Sequence, residues 1–172
     1  GVVAEVQCAG SGAAWAVLIG PGAGMSQQPH IGYHTSGTTW RPIFAEQYFR
    51  PAGLHVHASS PGPEPGPFSA ISPDEAVFVD FCGPCSDPAS PRYQGTAPLD
   101  VATGGGASLL ARGPVGQLTQ ATGAAFLSVS DGWVVGTQTS YPASGGSPTS
   151  VSRIMHTADG GRTWQAQYVL NS

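Results

Sequence analysis

The chain has 172 residues, of which 40% are hydrophobic and only 9% are charged, and it contains 25 Gly and 16 Pro. So many glycines and prolines exclude long helices, because each one weakens or interrupts a helix interior. The formal net charge of -4 argues against nucleic-acid binding, which needs clustered Lys and Arg. No apolar run approaches the roughly 18 residues that a membrane span requires.

Three segments in chain order each predict two short strands around a tight turn, followed by a Gly-rich closing turn. Their approximate bounds are 2–50, 68–115 and 120–171, within a single domain covering residues 1–172. The turns consist of Gly, Ser, Pro or Asp, which is typical of hairpins. A Pro-rich linker is expected over residues 51–67, because four prolines at alternate positions favour an extended chain.

The three closing turns can be aligned with one another. Residues 157–164 read TADGGRTW, and residues 33–40 read YHTSGTTW, in which the turn from the Thr to the final Trp is about two residues shorter and lacks the Asp. Residues 102–109 read ATGGGASL, with Gly in place of Asp and Leu in place of Trp. The alignment predicts that Trp40, Leu109 and Trp164 occupy matching positions in three repeats.

The third closing turn is similar to the Asp-box, Ser/Thr-x-Asp-x-Gly-x-Thr-Trp, of BNR-type β-propellers such as sialidases and photosystem II assembly-factor-like proteins. The matching residues are Thr157, Asp159, Gly161, Thr163 and Trp164, with Gly37, Thr39 and Trp40 as a partial match in the first turn. The resemblance implies an all-β propeller of four-stranded antiparallel blades, with about three blades in this chain. Since propellers usually close with 4–8 blades, we expect a part of a larger propeller, or half of a six-bladed homodimer.

The chemistry of such a turn predicts a structural role for its residues. An Asp side chain in a tight turn accepts hydrogen bonds from nearby backbone N–H groups. We therefore interpret Asp159 as a residue that fixes the turn rather than as a catalytic acid. Trp40 and Trp164 are expected to be core residues that lock neighbouring sheets together.

The cysteines offer a second motif, Cys82-Gly83-Pro84-Cys85, which resembles a thioredoxin active site. That chemistry needs the first Cys at a helix N-terminus, where its pKa is lowered. Pro88 and Pro91 preclude such a helix. The favoured interpretation is a local disulfide between Cys82 and Cys85, in an extracellular or cell-envelope protein. Cys8 would then be buried in a strand or paired with another chain.

Neither a metal site nor a cofactor is predicted. His55 and His57 alternate on one strand face at about 6.6 Å, but a metal site needs a third ligand and none is indicated nearby. A retaining glycosidase needs two carboxylates about 5–5.5 Å apart, and nothing in the sequence pairs the scattered acidic residues. The chain is therefore interpreted as non-enzymatic, although a sialidase-like glycoside hydrolase fragment and, less favoured, a thiol-disulfide protein remain as alternatives.

The function that these patterns favour is a binding or scaffold module, because loops on a rigid framework commonly carry recognition. The ligand would be a protein or a glycan, bound by loops at one end of the blades. Tyr and Arg are the residue types that most often contribute to such contacts. The candidates close to predicted insertions are Arg41, Tyr48, Tyr93, Tyr141 and Arg153.

Overall fold

The structure is a computed structural model that describes residues 2–19, 30–45, 56–58, 66–79, 96–140, 142 and 146–171. The described residues form strands and no helix, and so contain no helix that could cross a membrane. The strands are β1 (Val2–Cys8), β2 (Ala14–Ile19), β3 (His30–Thr35), β4 (Trp40–Ala45), β5 (His57–Ala58), β6 (Phe68–Ala70), β7 (Ala76–Val79), β8 (Leu99–Thr103), β9 (Ser108–Arg112), β10 (Gln120–Ser128), β11 (Asp131–Ser140), β12 (Thr149–Thr157) and β13 (Gln165–Asn171).

The strands form three sheets in sequence order, each built on a meander of four antiparallel strands, and one of the sheets has a fifth strand. We call them blade 1 (β1–β5), blade 2 (β6–β9) and blade 3 (β10–β13). The predicted all-β class with about three four-stranded blades is confirmed. Blade 1 carries one addition, because β5 pairs in parallel with β4 through Phe44 and His57. This short strand falls within residues 51–67, where the sequence predicted a linker.

The blades stack face to face, and a separate apolar core fills each of the two gaps. The burial pattern reflects this stacking, because all four residues of β7 are buried whereas β11 alternates between buried and exposed residues. A strand with both faces covered is apolar throughout, while a strand with one open face alternates. Blade 2 is thus covered on both faces, and blades 1 and 3 are each covered on one.

We call the face of a blade that is turned toward the preceding blade its near face, and the opposite face its far face. The core between blades 1 and 2 joins the far face of blade 1 to the near face of blade 2, and is built from Ala9, Ala13, Trp15, Val17, Ile43, Phe44, Phe68, Ala76, Phe78 and Ala102. The core between blades 2 and 3 is built from Val77, Val79, Ala97, Leu99, Val101, Val115, Leu118, Ala121, Phe126, Val134 and Met155.

The first strands of the blades lie beside one another, β1 next to β6 and β6 next to β10, on the inner side of the arc. The same hydrogen bond joins each pair of these strands. Gln7 Oε1 accepts from the backbone N–H of Ala70 at 2.8 Å, and Ser69 Oγ accepts from the N–H of Phe126 at 3.0 Å. The two blade junctions are therefore repeats of each other in backbone geometry.

Antiparallel connectivity also fixes the two ends of the blades. The turns between the first and second strands, and those between the third and fourth, lie at one end, which we call the turn end. The second strands end and the third strands begin at the opposite end, where each blade also begins and ends; we call this the loop end. In the sequence, the long Pro- and Gly-rich stretches follow strands that end there.

Candidate functional site

The closing turn of blade 3 is held by the side chains of Thr157 and Asp159. Asp159 Oδ1 accepts from the backbone N–H of Thr163 at 2.9 Å and from the Thr157 hydroxyl at 2.9 Å, and Oδ2 accepts from the Thr163 hydroxyl at 2.6 Å. The Thr157 hydroxyl oxygen also accepts from the N–H of Gly161 at 2.9 Å. Hydrogen bonds from Thr163 favour the carboxylate and lower the pKa of Asp159 to about 2. These contacts give Asp159 a structural partner for each oxygen.

The closing turn of blade 1 has no acidic residue and uses a different set of contacts. The hydroxyl of Thr35 lies 3.0 Å from the carbonyl oxygen of Gly37 and 2.9 Å from that of Thr39, so it can donate to either. Thr35 and Thr157 each end the third strand of their blade. The two turns thus start from a threonine in the same position and then diverge.

The large residue after each closing turn meets a different environment in each blade. Trp164 packs against the core between blades 2 and 3, and Leu109 packs against the core between blades 1 and 2. Both lie on near faces. Trp40 is instead 43% exposed, so the prediction that it is a core residue was wrong. The reason is that no described sheet covers the near face of blade 1.

The closing turns of blades 2 and 3 each pack against the preceding blade through a glycine with positive φ. A Cβ built on Gly106 would meet Ile43 of blade 1, and one built on Gly161 would meet Leu99 of blade 2 at 2.8 Å. A Cβ on Gly37 would meet no atom within 4 Å. Among the described residues, the closing turn of blade 1 therefore packs against no other blade at this glycine, whereas the other two turns do.

Blades 1 and 3 contain a pair of rings that the sequence analysis did not recognise. Trp15 and His34 are cross-strand neighbours with ring centroids 4.4 Å apart, and Trp133 and His156 occupy the same register with centroids 4.6 Å apart. A signal was available in the sequence, since each His directly precedes the threonine that ends the third strand. The repeat was concealed because the two spacings differ: Trp15 and His34 are 19 residues apart, whereas Trp133 and His156 are 23 residues apart.

The two ring pairs differ in what covers them. In blade 1, Trp15 is fully buried beneath blade 2, and its Nε1 donates to the carbonyl oxygen of Ser72 at 3.0 Å. Burial lowers the pKa of His34, and the nearby Arg41 acts in the same direction. In blade 3 the pair lies on the open far face, where His156 Nε2 lies 2.8 Å from Asp131 Oδ1. The same pair is thus a core element at one position and a surface element at the other.

The two predicted ligand residues that the structure describes, Arg41 and Arg153, lie in different blades and are not brought together. Arg41 lies at the turn end, where its Nη2 donates to the carbonyl oxygen of Gly105 on blade 2. Arg153 lies on β12, and its Nε donates to Gln138 Oε1 at 3.0 Å within the same sheet. The three tyrosines of that prediction, Tyr48, Tyr93 and Tyr141, lie outside the described residues.

The cysteine and histidine predictions are covered only in part. Cys8 is exposed and carries a free thiol, so the expectation that it is buried in its strand was wrong. It lies on the near face of blade 1, which no described sheet covers. Cys82, Cys85 and His55 lie outside the described residues. Among the side chains that the structure describes, no three His, Cys, Asp or Glu residues are grouped as a metal site would require.

A cavity of about 320 Å³ lies at the loop end, on the inner side of the arc. Its wall comes from Glu5 of β1, the end of β2, the residues that lead into β6, and Ala121 with Thr122 at the start of β10. Segments that are far apart in the sequence thus meet here, two from blade 1, one that leads into blade 2 and one from blade 3. Among the described lining residues, Glu5 supplies the ionisable group, and its Oε1 accepts from Gln7 Nε2 at 2.6 Å. The glutamine amide is neutral, so this contact adds no opposite charge beside the carboxylate.

Comparison with known proteins supports the fold. No protein-family model matches the chain, and no curated protein matches it. A solved structure, "YCF48 bound to D1 peptide", resembles it with a TM-score of 0.51 over 96% of this chain, at 17% identity. The match spans 39% of the length of that protein. The likeness establishes a β-propeller-like arrangement, of which this chain contains three blades.

Proposed function

We propose that this chain is a protein-binding scaffold, and that it holds a basic peptide segment in the cavity at the loop end of its blades. The observation that carries the proposal is the cavity itself, which is lined from all three blades and contains the Glu5 carboxylate. The similar solved structure is that of a protein bound to a peptide. That neighbour is the reason to consider a peptide ahead of a glycan.

The charge of the cavity determines which peptide it favours. Among the described residues, the Glu5 carboxylate accepts from the neutral amide of Gln7. A Lys or Arg side chain, or a free amino terminus, would supply the opposite charge and form a charge-assisted hydrogen bond. The net charge of -4 favours basic ligands at long range as well.

The position of the cavity agrees with recognition by loops on a rigid framework. Strands β2, β7 and β11 all end here, and in the sequence each is followed by a long connection to the next strand. By sequence, Tyr93 and Tyr141 belong to two of these connections, and Tyr48 follows β4. The turn end, in contrast, is occupied by contacts between blades, including the one made by Arg41.

Assignment to the Asp-box type of propeller is part of the same proposal. The hydrogen bonds of Thr157, Asp159 and Thr163 support it, because they close the turn as the motif requires. The degenerate turn of blade 2 keeps the paired glycines and the apolar residue at its end. An extracellular or cell-envelope location stays a prediction from the cysteine motif.

Binding of the 172-residue chain to an array of peptides, half of them carrying Lys or Arg, tests the proposal beside a glycan array. We expect the basic peptides to bind, with an affinity that falls as salt is added. Glu5→Gln should weaken binding by about tenfold, which corresponds to ~1.4 kcal/mol for a hydrogen bond to a charged group. Glu75→Gln, which removes a carboxylate at the turn end, is the matched control and should leave the affinity unchanged.

Two results would overturn the proposal. One is equal binding of acidic and basic peptides with no loss in Glu5→Gln. The other is binding of glycans alone, and turnover of a glycan by the same chain would favour the hydrolase alternative.

A further inference from the structure

The two outer faces of the arc continue the series of blade junctions inside it. At each internal junction the far face of one blade receives the near face of the next, together with its closing turn. Within the described part of the chain, no sheet covers the far face of blade 3 or the near face of blade 1. The question that the structure raises is what occupies them.

The open far face of blade 3 resembles the far face of blade 1, which blade 2 covers. The resemblance lies in a ring pair and in the fourth strand. The Trp133–His156 pair repeats the Trp15–His34 pair, of which Trp15 is 0% and His34 is 2% exposed. The fourth strands correspond as well, because β4 and β13 share a bulge at the same register position. The positions of β4 that are buried in the first core are exposed in β13.

This correspondence can be followed residue by residue along the fourth strands. Phe44 of β4 is buried against Phe78 of blade 2, with ring centroids 4.9 Å apart. Its register counterpart in β13, Tyr168, is 55% exposed. Val135 of β11, which lies on the same face as Trp133, is 42% exposed. An apolar surface of the kind that a blade covers is thus left open.

The uncovered near face of blade 1 carries the features that would cover such a surface. Trp40 is the counterpart of Trp164, which packs on blade 2, and Gly37 lies in the turn that corresponds to the seated turn of blade 3. Val6 on β1 is 50% exposed, whereas its counterpart Phe68 is buried in the first core. Each open face therefore matches one side of a junction that the chain already makes twice.

We propose that a second copy of this chain occupies both faces, with the near face of blade 1 in each copy seated on the far face of blade 3 in the other. Two copies then close a ring of six blades, within the range of 4–8 in which propellers close. Each contact is head-to-tail, and the two contacts are related by a two-fold axis. The peptide cavity lies within one copy, so this assembly goes beyond the proposed function and stands or falls separately from it.

Each internal junction contains a hydrogen bond between a first-strand side chain and the backbone of the next blade, and the proposed junction between copies lacks this bond. Gln7 and Ser69 each accept a hydrogen bond from the next blade, but the third position in this series is Ala125. The donor that would face Ala125 is the backbone N–H of Cys8 of the partner subunit, because Cys8 is the counterpart of Ala70 and Phe126. Ala125→Ser copies the Ser69 contact and should therefore tighten the assembly.

The test is the mass of the full 172-residue chain in solution, measured by light scattering over a wide range of concentration. We expect twice 17.4 kDa. Trp40→Glu and Val135→Glu each damage both contacts of the ring and should give monomers that keep their β-sheet spectrum. Leu110→Glu, which changes an exposed apolar residue of the middle blade, is the matched control and should remain dimeric.

Mixing the two damaged variants distinguishes a head-to-tail ring from other dimers. A Trp40→Glu copy keeps its far face and a Val135→Glu copy keeps its near face, so the mixture restores one of the two contacts and should give a mixed dimer. Ala125→Ser should lower the dissociation constant by about tenfold, the effect of one net hydrogen bond at each of two contacts. A monomer at every concentration, an open-ended series of larger assemblies, or a dimer that survives Trp40→Glu would overturn the proposal.

Discussion

Gln7 holds the backbone of Ala70 across the junction between blades 1 and 2, its Oε1 accepting the Ala70 N–H at 2.8 Å. The same side chain donates through Nε2 to the carbonyl oxygen of Phe68 at 2.7 Å. One amide thus pairs with a backbone donor and a backbone acceptor of β6, at a partly buried position between the first two blades. Unpaired backbone groups in such a place are costly.

Replacing Gln7 with Leu removes both bonds and leaves these two backbone groups unpaired. We expect the free energy of unfolding to fall by about 2–3 kcal/mol, which is the usual penalty for stranded polar groups. Urea denaturation followed by tryptophan fluorescence measures it. Gln117→Leu, at an exposed position between blades 2 and 3, is the control, and an equal loss in both variants would contradict the junction role of Gln7.

Asp159 gives the closing turn of blade 3 a defined dependence on pH. Its pKa is lowered from 3.8 to about 2 in the folded chain, so folding favours the ionised form. The stability that it contributes is therefore fully present above pH 3.8 and is lost as the pH falls through about 2. The difference in free energy of unfolding between the wild type and Asp159→Asn should shrink over that window. A difference that stays constant down to the lower limit would contradict this assignment.

Local patterns made the fold predictable from the sequence. The closing turns carry Gly, Asp and Thr where positive φ and side-chain caps are needed, and these are requirements of single residues and their neighbours. Hairpins follow from the same local chemistry. The strand order within each blade therefore required no knowledge of distant contacts.

Features that depend on which blade lies beside which could not be predicted in this way. Trp40 and Trp164 have the same local sequence environment, yet one is exposed and the other packs on a core. The cavity at Glu5 forms on the inner side of the arc, where Glu5 and Ala121 line the same space although they are more than a hundred residues apart in the sequence. Such a site has no signature at any single position.

Gly106 marks a place where a closing turn approaches the preceding blade too closely for a side chain. Its φ is +85°, and an added Cβ would lie 2.9 Å from Ile43 Cβ. Gly12 has a φ of +76° and open space around it. We expect Gly12→Ala to cost ~1 kcal/mol from backbone strain alone, and Gly106→Ala to cost ~1–3 kcal/mol more from overpacking. Thermal denaturation compares the two, and equal losses would mean that the turn does not press on blade 1.

Trp164 and Trp40 occupy matching positions in two blades, so substituting each measures how much a neighbouring blade that covers the side chain adds to the free energy of unfolding. Trp164→Ala should lower the free energy of unfolding by about 3 kcal/mol, because it opens a cavity against the core between blades 2 and 3. At protein concentrations low enough for the chain to be monomeric, Trp40→Ala should lower it by less than about 1 kcal/mol, as is usual for exposed side chains.

Raising the protein concentration separates the two tryptophans further. If a second copy covers Trp40, the loss caused by Trp40→Ala should grow with concentration, because the wild type gains stability from association and the variant does not. The loss caused by Trp164→Ala should not depend on concentration in that way. Equal losses at low concentration would instead place Trp40 in a core of the single chain, contrary to its exposure.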